Sequence, residues 1–406
     1  MTTEKLNVFI GDCLVGSITR LPGFQCFFGF DESYISAPDR HTLSQFYLNA
    51  NGELRTESRP ARHKLVPTWF SNLLPEGPLR TYLAQRGDVR PDAEFNLLEL
   101  LGNDLPGAVR VQAVGDISNF QYELGEEARP AQEDGPMRFS LAGVQLKFSG
   151  IKNARGGLTV PASGAGGDWI IKLPSSIYPA VPENEAAMLT LASQVGLNVP
   201  EHRLVRMTDI EGLPDLGNFA GNQAIAVKRF DRAPDGKRIH IEDLAQVFGL
   251  TPNEKYEKVG YARIAEMIAT VIGSAAAQDF VARLVFTTLT GNGDMHLKNW
   301  SLIYPDGRTP SLSPAYDLVS TIPYILTDRL ALNLAGKKAF TDITKAQFAS
   351  LAQKAKLSER ETLLTVEKAV EATVTAWDQS KSHTHMAQDT VKLIDNHIHQ
   401  AARRLR

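Results

Sequence analysis

Between residues 5 and 30, apolar positions come in short alternating bursts: Leu6-Asn-Val-Phe-Ile10, Cys13-Leu-Val-Gly-Ser-Ile18 and Cys26-Phe-Phe-Gly-Phe30. Glycines and a proline separate them, and a period of two broken by turn residues predicts an antiparallel meander. The spacing turns helical over Thr68–Leu74 and Leu79–Leu83, and Asp92–Leu101 predicts a further helix stopped by Gly102. Gly107–Gln112 returns to a strand pattern. These elements together predict an α+β unit over residues 1–114.

Residues 115–136 break the pattern. Asp116, Glu123, Glu126, Glu127, Glu133 and Asp134 face only Arg129, with Pro130 and small residues between them, which reads as a solvated acidic linker rather than a docking tail. Beyond it, Arg138–Phe148 reads as strand, turn, strand, and Asp168-Trp-Ile-Ile-Lys-Leu-Pro174 as a short buried strand ended by proline. Pro182–Ser193 predicts a helix whose acidic first turn suits its dipole, and Asn222–Val227 another buried strand. These form a β-rich lobe over 137–232. The remainder, 233–406, reads as mainly helical. Tyr261–Thr290 is apolar and Ala-rich, but Asp279 and Arg283 interrupt it, so it predicts buried helices rather than a membrane span. A strand at Trp300–Tyr304 turns at Pro305-Asp-Gly307 and leads to Ser313–Asp317, and amphipathic helices fill the C-terminal stretch.

Composition narrows the class. The 406 residues suit two or three folding units, and 43% hydrophobic with 22% charged residues is ordinary for packed domains. Lys plus Arg number 43 against 46 Asp plus Glu, a net charge of −3, which argues against a stand-alone polyanion binder. Cys13 and Cys26 are too few for a disulfide framework and form no Cys-x-x-Cys pair for zinc or redox work. Neither a signal peptide nor a run of ~18 apolar residues is present, so a cytoplasmic protein with no membrane association is expected.

The chemistry concentrates in Thr290-Gly-Asn-Gly-Asp294-Met-His296-Leu-Lys298-Asn299, with Asp317 at the end of the next expected strand. Phosphoryl transfer needs a carboxylate to orient the attacking hydroxyl and hard oxygen ligands for Mg²⁺. Asp294 suits the base, and Asn299 and Asp317 suit the metal; the Asp-x-x-x-x-Asn spacing is that of the protein-kinase catalytic loop. His296 either positions the base or packs the loop. Lys172, on an apolar strand, needs a partner, because an unpaired buried ammonium is costly. Glu185 in the following helix supplies one, and a strand Lys paired with a helix Glu is the arrangement that holds ATP phosphates. Around Ser140, the backbone of Ala142, Gly143 and Val144 could cradle phosphate, with Gln145 and Lys147 nearby, although one glycine makes a weak phosphate loop. Lys228, Phe230 and Asp231 follow the strand leading to a lobe hinge. Phe230 is placed to pack on adenine, and Asp231 to reach a ribose or a basic partner. His383/His385 and His397/His399 are poor chelates if helical, since i and i+2 side chains point apart.

In these words and their order the chain resembles the HipA family of toxin serine/threonine kinases. The resemblance rests on Asn72-Leu-Leu-Pro75, Phe139-Ser-Leu-Ala-Gly-Val-Gln-Leu-Lys147, Ile170-Ile-Lys-Leu-Pro174, Glu183-Asn-Glu185 and Gly196-Leu-Asn-Val-Pro200. It continues through Arg229-Phe-Asp-Arg232, Glu242-Asp-Leu-Ala-Gln-Val-Phe-Gly249, Lys255-Tyr-Glu257, Gly293–Asn299 and Pro314-Ala-Tyr-Asp317. It implies an α+β, two-lobed protein-kinase-like fold with an additional N-terminal subdomain. By resemblance, Asp294 and His296 are the catalytic residues, and Asn299 and Asp317 are the Mg²⁺ ligands. The implied ATP-contacting set is Lys172, Glu185, Ala142, Gly143, Val144, Gln145, Lys147, Lys228, Phe230, Asp231, His296 and Lys298. Ser140 matches the serine whose autophosphorylation switches family members off, which fits the charge a phosphate adds where those of ATP must sit. The implied partners are a HipB-like helix-turn-helix antitoxin that carries most operator DNA contact, and a protein substrate such as glutamyl-tRNA synthetase. Lys228 stands where the best-known member has an acidic hinge residue. Two other readings remain at this level: a kinase fold acting on a small molecule, and a nonenzymatic regulatory module.

Overall fold

A computed structural model describes residues 4–57, 60–61, 65–115, 146–152, 158–160, 166–213 and 219–406. The expected linker beyond Gly115, and with it Ser140, Ala142, Gly143, Val144 and Gln145, lies outside the described residues.

The N-terminal domain begins with the expected meander, β1 (Glu4–Ile10), β2 (Cys13–Arg20) and β3 (Cys26–Phe30). Four short helices follow: α1 (Glu32–Ser36), α2 (Thr68–Ser71), α3 (Gly77–Arg86) and α4 (Glu94–Leu101). Strand β4 (Val109–Ala113) then returns beside β1, giving the antiparallel order β3-β2-β1-β4. Alternation decides which face is buried: Leu6, Val8 and Ile10 of β1 point into a core with Trp69, Phe70, Leu97 and Leu98 from the helices. The buried Glu94 ties those helices together, accepting from Val66 N at 3.1 Å and Ser71 Oγ at 2.8 Å.

The small lobe is a six-stranded sheet of order β8-β10-β7-β5-β6-β9. Its strands are β5 (Lys147–Lys152), β6 (Leu158–Thr159), β7 (Trp169–Lys172), β8 (His202–Arg206), β9 (Ile210–Glu211) and β10 (Gln223–Lys228). Helix α5 (Val181–Gln194) packs on β10 and β8. Its Met188, Leu189 and Leu191 join Ile225 and Val227 in a core continuous with that of the large lobe.

The large lobe contains β11 (His240–Asp243), α6 (Leu244–Val247), α7 (Tyr261–Val271) and α8 (Ser274–Thr290). After α8 come β12 (Ser301–Tyr304), β13 (Ser311–Leu312), β14 (Arg329–Leu334) and β15 (Lys337–Ala339), then α9 (Lys345–Lys354), α10 (Glu359–Ser380) and α11 (Gln388–Leu405). The expected apolar stretch breaks at Gly273, whose φ of +131° few other residues adopt, and so becomes two helices. Helix α8 is the axis of the lobe, packed by α7, α10 and α11. None of the helices among the described residues is long and apolar enough to cross a membrane.

The N-terminal domain is fastened to both lobes. Glu242 on β11, fully buried, accepts from Ser44 Oγ, Gln45 N at 3.0 Å, Trp69 Nε1 at 3.2 Å and Tyr304 Oη. On the other side, Asp104 receives Arg232 Nη2 at 3.0 Å and Ser149 Oγ at 3.1 Å, and Gly107 N donates to Asp231 at 2.8 Å.

Candidate active site

Helix α8 ends at Gly291, whose left-handed φ of +65° turns the chain out of the helix. A Cβ there would meet Ile322 Cγ1 at 2.3 Å, so glycine is required on both counts. Asn292 Oδ1 then accepts from Asp294 N at 3.0 Å, an Asx turn that aims the Asp294 side chain. Asn299 Nδ2 donates to Asp294 O at 2.8 Å, closing the loop on itself. Asp294 Oδ1 accepts from Tyr256 Oη at 2.7 Å. The spacing of Asp294 and Asn299 thus places both on one small loop, of which His296, Lys298 and Asn299 line a cavity.

Asp317 arrives differently from expectation. Strand β13 ends at Leu312, and Pro314 cannot continue a ladder, so Asp317 lies on irregular backbone with a left-handed φ of +52°. Its carboxylate meets Lys172, which also pairs with Glu185, and Lys147 Nζ lies 3.2 Å from its other oxygen. Burial alone would lower the Lys172 pKa, but Asp317 and Glu185 raise it, so the ammonium stays charged. For Asp317, burial is outweighed by the ammonium groups of Lys147 and Lys172, which hold its carboxyl well below the usual range. Glu185 goes the other way: burial pushes it up, and Lys172 offsets this only in part.

His296 is 2% exposed, and its ring stands edge-on to Tyr256 at 4.9 Å. Among the described residues neither ring nitrogen has a hydrogen-bond partner, and Nε2 lies 3.9 Å from Asp294 Oδ1. Burial, reinforced by Lys255, pushes its pKa well down, so it is neutral. Lys298 does not point along the loop but crosses to the N-terminal domain, donating to Asn72 O at 3.1 Å and pairing with Glu76 at 2.6 Å.

The hinge residues separate into two kinds. Phe230 lines the cavity and packs on Tyr316, with ring centroids 5.5 Å apart. Lys228 is largely exposed and lies 3.5 Å from Glu201. Asp231 is buried and accepts from Arg229, Arg232 and Gly107 N, each at 2.8 Å, so its carboxylate is occupied by the basic partners rather than turned to a ribose. His397 and His399, on α11, part as helical geometry requires: His397 Nε2 meets Thr288 O at 3.1 Å, while His399 faces Asp378 at 3.5 Å. His383 ends a 3-10 turn, and neither it nor His385 is on an α-helix. Asp378, Asp395 and His399 do converge, but Lys381 already lies 2.8 Å from both carboxylates.

A cavity of about 580 Å³ connects these groups, walled by Leu79, Tyr82 and Leu101 of the N-terminal domain, Phe148 and Ile170 of the small lobe, and the Asp294–Asn299 loop. The donor set at one end suits Mg²⁺, which takes hard oxygens: the Asp317 carboxylate and the Asn299 side-chain carbonyl, both on the cavity. Lys147 and Lys172 beside them suit phosphate oxygens. Sequence reasoning missed three participants, Glu76, Lys255 and Tyr256. The words Asn72-Leu-Leu-Pro75 and Lys255-Tyr-Glu257 flank or contain them, but nothing local says that they meet.

Fold and site together define a two-lobed protein-kinase-like core carrying an extra N-terminal domain. Residues 6–112 match the HipA N-terminal domain and residues 139–377 the HipA-like C-terminal domain. The chain belongs to the HipA family of toxin kinases. A Sinorhizobium fredii protein carrying a kinase designation, Y4dM, is 50% identical over 389 residues, covering 94% of this chain and 93% of its own. The serine/threonine-protein kinase toxin HipA of Shewanella oneidensis is 29% identical over 293 residues, 64% of each chain. In fold, the chain is similar to a solved structure from Shewanella oneidensis MR-1, a complex of HipA, HipB and operator DNA. The TM-score is 0.74 at 22% identity, covering 98% of this chain and 96% of that one.

Proposed function

We propose that the protein is an ATP- and Mg²⁺-dependent protein serine/threonine kinase, the toxin of a toxin–antitoxin pair. The observation that carries this reading is the placement of Lys172 between Glu185 and Asp317, on the same cavity as Asn299, whose side chain is hydrogen-bonded to the backbone of Asp294. Asp294 takes the proton of the acceptor hydroxyl as that oxygen bonds to the γ-phosphorus and the bond to the ADP oxygen breaks. Asn299 and Asp317 would hold the metal, which would supply charge neutralisation at the phosphates. Lys172 and Lys147 hold phosphate oxygens, Phe230 packs on the base, and neutral His296 keeps the loop in place beside Asp294.

By family likeness, a HipB-like helix-turn-helix antitoxin neutralises the protein and brings it to operator DNA. Glutamyl-tRNA synthetase is the proposed substrate, and phosphorylation of Ser140 the proposed off-switch. The near-neutral charge of −3 fits a minor role in DNA contact. Incubation with [γ-³²P]ATP, Mg²⁺ and a cell lysate, followed by phosphosite mass spectrometry, tests the reading. Labelling of a translation protein and of Ser140 is expected, lost in Asp294→Asn. Absence of any labelled protein, or labelling that survives Asp294→Asn, overturns it.

A further inference from the structure

Glu76 belongs to the N-terminal domain, immediately before α3, yet among the described residues both ion-pair partners of its carboxylate lie in the large lobe. One oxygen lies 2.6 Å from Lys298 Nζ and the other 2.5 Å from Lys255 Nζ. Both lysines are nearly buried, at 13% and 12% side-chain exposure, so this pair is shielded more than a surface contact. Lys298 sits inside the catalytic loop, next to Asn299. Lys255 is joined to the same loop twice over: its carbonyl accepts from Leu297 N at 3.3 Å, and the adjacent Tyr256 donates to Asp294 Oδ1 at 2.7 Å.

We propose that Glu76 is a positioning residue for phosphotransfer, clamping Lys255 and Lys298 so that the loop holds Asp294 and Asn299 in register. The inference rests on the assignment of Asp294 as the base. Without the carboxylate, two ammonium groups face each other unneutralised, and repulsion drives both toward the cavity they line. There they compete for the carboxylates that the reaction needs. The loop then loses its anchor on the side away from Asp317. Glu76 itself touches neither the proposed metal ligands nor the Lys172 pair, so nucleotide affinity is left largely intact.

The test is steady-state kinetics with [γ-³²P]ATP·Mg²⁺, following self-labelling and phosphate release, on full-length Glu76→Gln, Glu76→Asp, Lys255→Met and Asp294→Asn. A misplaced reacting group costs about tenfold to a hundredfold in kcat. Glu76→Gln is expected to show that loss with KM for ATP within about twofold of the parent, and Glu76→Asp to recover part of the rate. Glu76→Gln combined with Lys255→Met is expected to lose no more than the worse single variant, since both break one clamp. A folded Glu76→Gln with parental kcat, beside an inactive Asp294→Asn, overturns the clamp alone. A raised KM at unchanged kcat, or fully additive losses in the double variant, also overturns it. Labelling that survives Asp294→Asn overturns the phosphotransfer reading, and the clamp with it. If Glu76→Gln fails to fold, Lys255→Met and Glu76→Asp carry the same kcat and KM comparison.

Discussion

Glu242 offers the sharpest test of how the N-terminal domain is held. Its carboxylate, fully buried, collects donors from three segments: Ser44 and Gln45, Trp69, and Tyr304. Glu242→Ala removes the shared acceptor. The Ser44 hydroxyl can turn elsewhere, but Gln45 N, Trp69 Nε1 and Tyr304 Oη lose their acceptor, and each unpaired buried donor costs about 1–3 kcal/mol. Two terms offset this. Burial pushes the Glu242 pKa up, so the parent already carries a desolvation penalty that the variant lacks. Water can also enter the polar space left behind, recovering part of the bonding. A net loss of about 3 kcal/mol follows, concentrated at the junction. Urea titration followed by tryptophan fluorescence reads it directly, since Trp69 sits at the site. The N-terminal domain is expected to release in an earlier transition, and self-labelling to fall with it. A loss under about 1 kcal/mol, with one unchanged transition, would refute the reasoning.

Three further outcomes are expected. Lys172→Met leaves Glu185 without its cation, and breaking a buried pair costs about 3–5 kcal/mol, so calorimetry should find a lowered Tm together with lost labelling. Asp294→Asn is nearly isosteric and should abolish labelling while calorimetric ATP binding and Tm stay within error, because the phosphate lysines are elsewhere. Burial would raise the Glu76 pKa, but Lys298 and Lys255 bring it down to about 2. A folded-state pKa below the unfolded value of about 4.3 means stability present above that pH and lost as pH falls towards 2. With 32% of the side chain exposed, solvent screening reduces the contribution to about 1–2 kcal/mol. The Tm gap between parent and Glu76→Gln should therefore be full at pH 6 and close toward pH 2; a gap that widens in acid contradicts the assignment.

The parts of the fold that read clearly in sequence are those in which a local period decides burial. The meander of β1 to β3, helix α5 and the split apolar helices α7 and α8 all follow from spacing and glycine position. The grouping of Asp294 with Asn299 was legible because the two sit five positions apart on one loop, and the pairing of Lys172 with Glu185 because an apolar strand cannot hide a lone ammonium. What could not be read is long-range. Glu76 and Lys298 are 222 positions apart, and Tyr256 and Asp294 38 apart. Asp231 looked free for a ligand because one of its donors, Gly107 N, comes from 124 residues upstream. The irregular backbone at Asp317 is set by packing around Pro314–Tyr316 that no period encodes.

The double attachment of the N-terminal domain has a mechanical consequence. Kinase-like cores exchange ligands by swinging one lobe against the other. Here a strut crosses that hinge, bound to the small lobe through Asp104 and Gly107 and to the large lobe through Glu242 and Glu76. Under the proposed function, wide opening would have to detach one end of the strut, which would couple ADP departure to an event at a domain boundary rather than at the nucleotide. On that reading the grip on the N-terminal domain would set the pace of turnover, and a protein bound there would act on it at a distance from Asp294.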